Sequence, residues 1–245
     1  MAAILVLGVA SGLPLYLTGT GRTLQAWMTM EGVDLTTIGV FSLVALPYSF
    51  KWVWAPLLDR YVPPFLGRRR GWLLIMQVLL TLAIGWMAFR NPRAGLQLLA
   101  INAVLIAFFS ATFDVVNDAY KIDVLKEREM GGGAAMYVLG YRIAMLVTGS
   151  LALMLADRMS YQMIYAGMAV LMALTILATL RAPEPAVRPV PPATLADAVR
   201  LPFAEFFGRA GVKRGLAVLG FIVLYKLSDY MAQAMATPFL LRTGF

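Results

Sequence analysis

Long apolar stretches alternate with short polar connections along the whole chain. A run of about 20 apolar residues is long enough to cross the hydrocarbon core of a bilayer as a helix. The alternation therefore predicts an all-α fold, a polytopic bundle of transmembrane helices. We expect seven spans, over about residues 2–30, 36–56, 71–89, 96–123, 134–155, 161–180 and 216–241.

The connection after the sixth predicted span divides the chain. Residues 181–192 are rich in proline, which predicts an extended backbone outside the membrane. Thr194 and Asp197 have the spacing of a helix N-cap pair, and the apolar stripe that follows predicts a helix lying on the bilayer surface. We expect a six-helix half over residues 1–180, a cytoplasmic linker with the surface helix over residues 181–213, and a seventh helix over residues 214–245.

The first predicted span has two special features. Gly12 and Pro14 predict a bend, because proline interrupts the hydrogen bonding of a helix. Gly8 and Gly12 lie one helical turn apart, and small residues at this spacing allow a second helix to approach closely.

The composition agrees with a membrane protein and excludes several kinds of chemistry. Hydrophobic residues make up 60% of the chain and charged residues only 14%, against roughly 25% in soluble domains. The absence of cysteine and histidine excludes disulfides, thiolate chemistry and the usual zinc sites. We expect no catalytic residue, no metal and no cofactor. Any proton that is transported through the protein must bind mainly to carboxylates.

The distribution of cations predicts the orientation of the helices. The net charge is +8, but the lysines and arginines are spread over the connections, so we expect no nucleic-acid partner. The connections after spans two, four and six contain 13 of these cations, and those after spans one, three and five contain 3. Because cytoplasmic loops carry the excess of lysine and arginine, we expect the N-terminus to lie in the cytoplasm.

Polar residues gather on one face near the end of the fourth predicted span. Asp114, Asn117, Asp118 and Lys121 recur at the helical spacing i, i+3, i+4, i+7. An ionised group at membrane depth costs several kcal/mol unless it is paired or faces a wet cavity. This face is therefore a candidate functional site.

Charged residues on the fifth and seventh predicted spans lie at a similar depth. At about 1.5 Å per residue, Asp114 and Arg142 each lie roughly 15 Å from the cytoplasmic ends of their helices, so we expect them to meet. Lys226 and Asp229 fall near the middle of the seventh span. One such pair can be a structural ion pair, whereas a cluster drawn from three helices indicates function.

These charges suggest a way to couple a solute to a proton. Burial favours the neutral form of a carboxylate, whereas a nearby cation favours its charged form. A solute that competes for the cation therefore makes the carboxylate take up a proton. The expected proton-coupling residues are Asp114, Asp118 and Asp229, and the expected substrate-binding residues are Gln25, Arg22, Asn117, Tyr120, Tyr141, Arg142 and Lys226. For Arg22 and Gln25, snorkelling to the membrane interface is an equal alternative.

Charged residues also flank the connection between the second and third predicted spans. Asp59 and Arg60 end the second span, and Arg68, Arg69 and Arg70 begin the third. Arginine keeps its charge and can bond a carboxylate through two N–H groups. We expect these residues to clamp the two helix ends together as a cytoplasmic gate.

Several of these segments resemble known sequences. Asp59 and Arg60, followed by residues 67–70 (GRRR), are similar to the cytoplasmic signature of major facilitator transporters, from which they differ by the insert 62–66 (VPPFL). More specifically, the chain resembles the AmpG-type muropeptide permease family throughout its length. The matching segments are residues 11–15 (SGLPL), 23–27 (TLQAW), 46–48 (LPY), 51–61 (KWVWAPLLDRY), 67–72 (GRRRGW), 118–120 (DAY), 139–142 (LGYR) and 225–226 (YK), with Asp229.

This resemblance implies a fold, a function and a location. Major facilitator transporters have two parallel halves, each built of 3+3 helices. The seven spans would then belong to an expected twelve, and residues 238–245, which loosely echo residues 26–33, would open a truncated second half. The implied function is proton-coupled import of anhydro-muropeptides, which are peptidoglycan fragments, from the periplasm into the cytoplasm by alternating access. The implied partners are this solute, protons and the lipid of the bacterial inner membrane, and the full-length protein would be a monomer.

Two other functions are alternatives to muropeptide import. A relative could move another bulky anionic solute, such as an acyl-coenzyme A, and competition in an uptake assay separates the two. The chain could also be a polytopic membrane enzyme that uses Asp114 and Asp118 as an acid–base pair. Such an enzyme usually has conspicuous polar active-site loops, whereas most connections here are short.

Overall fold

The computed structural model describes residues 1–18, 21–92, 95–183, 185, 192 and 194–242, with the backbone alone at residues 210, 226 and 229–242. It divides into two compact units, Met1–Pro191 and Pro192–Phe245. In the first unit the helices are α1 (Ala2–Gly12), α2 (Arg22–Met30), α3 (Leu35–Val40), α4 (Leu46–Phe50), α5 (Ala55–Arg60), α6 (Gly67–Met87), α7 (Leu96–Val124), α8 (Met130–Leu146), α9 (Ala152–Ala156) and α10 (Tyr161–Arg181).

Shorter turns join several of these helices. The connections include 3-10 turns at Leu15–Leu17, Phe41–Ala45, Lys51–Val53 and Glu127–Glu129, and a π-helical turn at Val147–Leu151. The second unit consists of α11 (Leu195–Ala210) and α12 (Val212–Arg242). As predicted, Thr194 and Asp197 form a reciprocal cap at the start of α11. Over the described residues the fold is entirely helical, as the apolar pattern predicts.

Five described segments are long and apolar enough to cross a membrane. They are Ala2–Met30, Gly67–Met87, Leu96–Val124, Glu127–Ala156 and Tyr161–Arg181. Within the first of them α1 ends at Gly12, next to the predicted bend at Pro14. These segments match five of the predicted spans, and α12 covers the predicted seventh.

The predicted second span differs from expectation. Instead of one helix over residues 36–56, the structure has α3, α4 and α5 joined by 3-10 turns. Pro47 and Pro56 each stand in the first turn of a new helix. Because proline lacks an N–H group and its ring clashes with the preceding turn, it begins a helix more readily than it continues one.

Glycines bring α1 and α8 into close contact. A Cβ atom at Gly8 would lie 2.3 Å from the carbonyl oxygen of Tyr137, and one at Gly12 would lie 2.6 Å from that of Tyr141. From the other side, a Cβ atom at Gly140 would lie 2.0 Å from the carbonyl oxygen of Leu5. The close approach predicted from Gly8 and Gly12 is therefore present, and it places the tyrosines of α8 directly beside α1.

A buried polar group joins α6 to α10. The Gln77 side-chain amide donates to the Thr175 hydroxyl at 3.1 Å, and its carbonyl oxygen accepts from the Thr179 hydroxyl at 2.7 Å. All three residues are buried. Since each polar group finds a partner on the facing helix, the contact fixes the two helices in register at little desolvation cost.

Candidate functional site

Asp114 lies at the centre of a hydrogen-bonded group built from three helices. The Ser11 hydroxyl of α1 donates to the Asp114 carboxylate of α7, and the Tyr137 hydroxyl of α8 donates to the Ser11 oxygen at 2.8 Å. This arrangement depends on the close packing of α1 and α8, because only then does Tyr137 reach the position of Ser11. We call Ser11, Asp114 and Tyr137 the central triplet.

A second charged pair lies beside the central triplet. Lys121 forms an ion pair with Asp118 at 2.8 Å, and the Lys121 ammonium also lies 3.4 Å from the centroid of the Tyr137 ring. A cation over an aromatic face is attracted by the electrons of the ring. The predicted face of α7 thus carries two carboxylates in different settings, with Asp114 half-buried and the Asp118 side chain 55% exposed.

Lys51 is the cation that sequence reasoning missed at this site. It lies in the 3-10 turn after α4, and together with Lys121 it acts electrostatically on Asp114. Asp118 is the neighbouring anion. Asp114 is therefore within electrostatic reach of lysines that come from two separate parts of the chain.

Three buried polar side chains near this group have no hydrogen-bond partner within the described part of the chain. They are the hydroxyls of Tyr48 and Ser110, which lie beside each other, and both polar atoms of the Asn117 amide. Tyr48 is also an electrostatic neighbour of Asp114. A buried polar group without a partner costs about 1–3 kcal/mol, and such groups commonly mark places where water or a ligand binds.

Arg142 does not meet Asp114, contrary to the expectation from helix depth. Among the described side chains, no ion pair or hydrogen bond joins the two. Arg142 instead lines a cleft of about 290 Å³ together with Arg22 and Tyr16. Tyr141 lies between the two places, since it is an electrostatic neighbour of both Asp114 and Arg142. Depth along a helix does not determine the direction in which a side chain points.

The cleft of Arg22 and Arg142 is shaped by the π-helical turn after α8. Gly149 in this turn packs against the ring of Tyr16, where a Cβ atom would lie 2.9 Å from the ring. The Thr23 hydroxyl donates to the carbonyl oxygen of Thr148 in the same turn. An extra residue in one helical turn alters the local hydrogen bonding, and such turns are frequent at functional sites. The cleft therefore has a fixed wall on one side and two arginines on the other.

Both arginines of the cleft are exposed, and within the described ranges neither forms an ion pair with a carboxylate. Arg22 lies 5.9 Å from the centroid of the Tyr16 ring. Arg142 stands near the middle of the apolar segment Glu127–Ala156. An unpaired Arg142 guanidinium at this depth, with Arg22 in the same cleft, favours an anion as its partner.

Tyr120 and Gln25 are not among the residues of the central triplet or the cleft. Tyr120 is buried, and its hydroxyl donates to the carbonyl oxygen of Pro183 at 2.8 Å, so it joins α7 to the connection after α10. Gln25 is half-buried in α2, and its backbone carbonyl oxygen accepts from the Thr29 hydroxyl. Lys226 and Asp229 belong to the backbone of α12, but their side chains lie outside the described residues.

The arginines at the start of α6 bind the ends of three other helices. Arg69 bridges two carboxylates, with Asp59 of α5 at 2.8 Å and Asp123 of α7 at 2.7 Å. Arg68 donates to the carbonyl oxygen of Asp59 at 3.3 Å. Arg70 donates to the last carbonyl oxygens of α10, at Thr179 and Leu180. We call this set the arginine clamp.

The arginine clamp is wider than predicted. The expectation was a contact between two helix ends, whereas the clamp joins the ends of α5, α6, α7 and α10. Asp123 was missed, although its place after Lys121 at the end of the fourth apolar run was a usable signal. Arg60 lies 6.0 Å from the centroid of the Tyr61 ring, outside the bridge made by Arg69. The described carboxylates do not cluster in a way that would hold a metal ion.

Comparison with known proteins places these features in context. The sequence model of the Major Facilitator Superfamily matches residues 2–243 of this chain. A protein of Escherichia coli K12 named "Anhydromuropeptide permease" is 54% identical over 246 residues, which cover 100% of this chain and 49% of the relative. An uncharacterized protein of Haemophilus influenzae is 39% identical over 97% of this chain and 56% of its own length. The chain thus spans about half the length of the relatives that it matches.

Proposed function

The chain belongs to the Major Facilitator Superfamily, and from this membership we propose that it forms part of a proton-coupled transporter that imports anhydro-muropeptides. The chain is a membrane protein with apolar helices of spanning length. The solute is suggested by the Escherichia coli relative, which is 54% identical to this chain over 246 residues and is named "Anhydromuropeptide permease". A location in the bacterial inner membrane is consistent with peptidoglycan fragments that arise in the periplasm.

The direction of insertion follows from the cations. The arginine clamp lies at the membrane side where the excess of lysine and arginine is found in the connections. Because that excess marks the cytoplasmic side, the N-terminus and the clamp face the cytoplasm. The clamp would then hold the cytoplasmic ends of the first unit together as a gate, and the full-length transporter acts as a monomer by alternating access.

The central triplet is the observation that carries proton coupling. Asp114 is a carboxylate at membrane depth that is held by a hydroxyl donor, with Lys51 and Lys121 as the cations that act on it. Without histidine, a carboxylate is the group best suited to hold a proton here. A further anionic group of the solute that draws Lys51 or Lys121 away from Asp114 would favour the protonated form of this carboxylate. Asp118, paired with Lys121, is the second proton site, and Asp229 of α12 is a third.

The cleft of Arg22 and Arg142 is the proposed site for an anionic group of the solute. Anhydro-muropeptides carry carboxylates, and a guanidinium binds a carboxylate through two parallel N–H groups. The unpartnered Asn117 amide and the Tyr141 hydroxyl between cleft and triplet offer neutral hydrogen bonds to the sugar or peptide. Lys226, Gln25 and Tyr120 stay candidates for further contacts. In this arrangement the solute occupies the cleft while the proton resides on the triplet.

Uptake into membrane vesicles tests the proposal. We expect labelled anhydro-muropeptide to accumulate when a pH gradient, acidic outside, is imposed, and to accumulate little without one. Asp114→Asn should abolish the dependence on the gradient, because the amide cannot take up a proton. Asp157→Asn, which changes an exposed carboxylate after α9, is the matched control and should behave as the wild type does. Gradient-driven uptake that persists in the Asp114→Asn variant would contradict the proton role.

A second measurement tests the anion site separately. Amidation of the solute carboxylates should weaken its competition for uptake in the wild type by about tenfold or more, the loss expected for one charge-assisted contact. In a variant with both Arg22→Gln and Arg142→Gln, the acid and the amide should compete equally. Arg158→Gln serves as the control for loss of a cation. If the variant still prefers the acid, the solute carboxylate binds elsewhere. Competition by an acyl-coenzyme A in place of muropeptide would favour the alternative substrate.

A further inference from the structure

An apolar groove lies between α6 and α10, away from the central triplet and the arginine cleft. It has a volume of about 450 Å³, and its walls include Leu82, Trp86, Phe89 and Val170. Its floor is formed by small residues, among them Gly85 and Ala169. Three of the wall side chains are strongly exposed, at 64% for Leu82, 85% for Phe89 and 61% for Val170. The groove therefore opens outward, on helices of membrane-spanning length.

A cation stands at one end of this groove. The Arg90 guanidinium lies 4.1 Å from the centroid of the Trp86 ring, which is part of the groove wall. Within the described ranges no carboxylate pairs with Arg90, and its Nε atom is buried without a hydrogen-bond partner. A stacked guanidinium is held in place by the ring and keeps its outer N–H groups for another partner.

The position of Arg90 corresponds to the headgroup level of the bilayer. It follows α6, which ends at Met87, and therefore lies at the opposite membrane side from the arginine clamp at the start of that helix. The Gln162 amide of α10 donates to the Arg90 carbonyl oxygen at 3.5 Å, which holds this segment against the start of α10. Trp86 is a residue type that is enriched at the membrane interface. An apolar groove thus runs into the membrane below an unpaired cation at its edge.

We propose that this groove binds a phospholipid, with an acyl chain along α6 and α10 and the phosphate on Arg90. The walls are almost entirely apolar, so they lack the hydrogen-bonding groups that would orient a sugar or a peptide. An acyl chain, in contrast, binds through apolar contacts alone. The phosphate is always ionised at neutral pH and matches the planar donor set of arginine. The gap between α6 and α10 exists because Gly85 and Ala169 face each other, with 3.7 Å between a Cβ atom at Gly85 and that of Ala169.

Binding of three related molecules to the purified full-length protein tests the proposal. Native mass spectrometry in a mild detergent would compare phosphatidylglycerol, diacylglycerol with the same chains, and glycerophosphate without chains. The wild type should bind phosphatidylglycerol at least about tenfold more tightly than diacylglycerol, as expected for a charge-assisted contact. Glycerophosphate should bind weakly, because it lacks the acyl chains. In Arg90→Gln the advantage of phosphatidylglycerol over diacylglycerol should disappear.

Two further variants keep the test decisive. Gly85→Leu places a side chain in the groove and should weaken the binding of both phosphatidylglycerol and diacylglycerol. A Cβ atom there meets only Ala169, at an ordinary contact distance, and thermal unfolding in detergent checks that the variant folds. Arg158→Gln removes an exposed cation at the same membrane side and should leave lipid binding unchanged. Equal binding in the wild type, Arg90→Gln and Gly85→Leu would show annular lipid only and overturn the proposal. Equal losses in Arg90→Gln and Arg158→Gln would also overturn it, because net charge would then explain the effect.

Discussion

The Ser11 hydroxyl donates a hydrogen bond to the Asp114 carboxylate, although 103 positions separate these residues along the chain. The same hydroxyl accepts from Tyr137, so one small side chain of α1 connects a carboxylate of α7 with a phenol of α8. A change in the protonation of Asp114 therefore alters a contact shared by three helices. Such a contact can relate the proton to a movement of the helices, which a carboxylate paired only within its own helix cannot do.

Removal of the Ser11 hydroxyl should impair transport. In Ser11→Ala, Asp114 loses its donor and the Tyr137 hydroxyl loses its acceptor, and each loss costs about 1–3 kcal/mol when the group stays buried. We expect gradient-driven uptake to fall by at least about tenfold, with Tyr137→Phe giving a smaller loss. Uptake into vesicles at equal protein amounts measures the effect. Ser42→Ala, which changes an exposed hydroxyl, is the control, and an equal loss in that variant would refute a specific role of Ser11.

Replacement of Arg69 should loosen the helix ends that the arginine clamp holds. A lysine cannot reach both Asp59 and Asp123 with the geometry of a guanidinium, so one carboxylate of Arg69→Lys is left without its partner. We expect the free energy of unfolding to fall by about 1–3 kcal/mol, since the Arg69 side chain is only 13% exposed. Thermal unfolding in detergent measures this loss.

The exposed pair of Arg209 and Glu205 provides the comparison for the clamp. Its side chains are 79% and 62% exposed, so Arg209→Lys should change stability by less than about 1 kcal/mol. If Arg69→Lys is as stable as Arg209→Lys, the clamp does not stabilise the first unit.

The packing of α1 against α8 should be sensitive to a single methyl group. In Gly140→Ala the new Cβ atom would lie 2.0 Å from the backbone oxygen of Leu5, and a backbone atom cannot move away as a flexible side chain can. We expect a loss of stability of about 1–3 kcal/mol and a displaced Tyr137. Gly167→Ala in α10, where a Cβ atom meets nothing, should be neutral or slightly stabilising. A melting temperature of Gly140→Ala equal to that of Gly167→Ala would contradict the close contact.

The start of α3 should depend on pH through Asp34. Hydrogen bonds from the Thr37 hydroxyl and the Thr37 amide lower the pKa of this carboxyl below its ordinary value of 3.8. A lowered pKa in the folded state stabilises the helix start above pH 3.8, and this contribution is lost as the pH falls through the folded pKa. The protection of the Thr37 amide against hydrogen exchange, corrected for the intrinsic exchange rate, should therefore fall as the pH drops below 3.8.

A non-titrating cap distinguishes this effect from general acid unfolding. Asparagine caps helices about as well as aspartate but carries no proton equilibrium in this range. In Asp34→Asn the protection of the Thr37 amide, corrected for intrinsic exchange, should not change between pH 6 and pH 3 beyond the general loss seen at other amides. Identical pH profiles for the wild type and the variant would show that the cap of Asp34 is not the cause.

The apolar pattern of the chain was sufficient to predict an all-helical membrane protein and five of its spans. It also placed Asp114, Asn117, Asp118 and Lys121 on one face of α7, because helical spacing is a local property that survives in any packing. The cap at Thr194 and Asp197 could be predicted for the same reason. The second predicted span was wrong as a single helix, since Pro47 and Pro56 begin new turns whose directions depend on their neighbours.

The tertiary structure alone decided which groups meet. Depth along the helices suggested that Asp114 faces Arg142, yet Asp114 is bonded by Ser11, and Arg142 shares a cleft with Arg22. The rotation of α1 and α8 about their own axes follows from the contacts of Gly8, Gly12 and Gly140 and from the π-helical turn at Val147–Leu151. A helix rotated by half a turn about its own axis has the same sequence pattern and its residues keep the same depth, but different side chains face each neighbouring helix. The sequence therefore determined which side chains each helix carries, whereas the packing of one helix on another determined which neighbours those side chains meet.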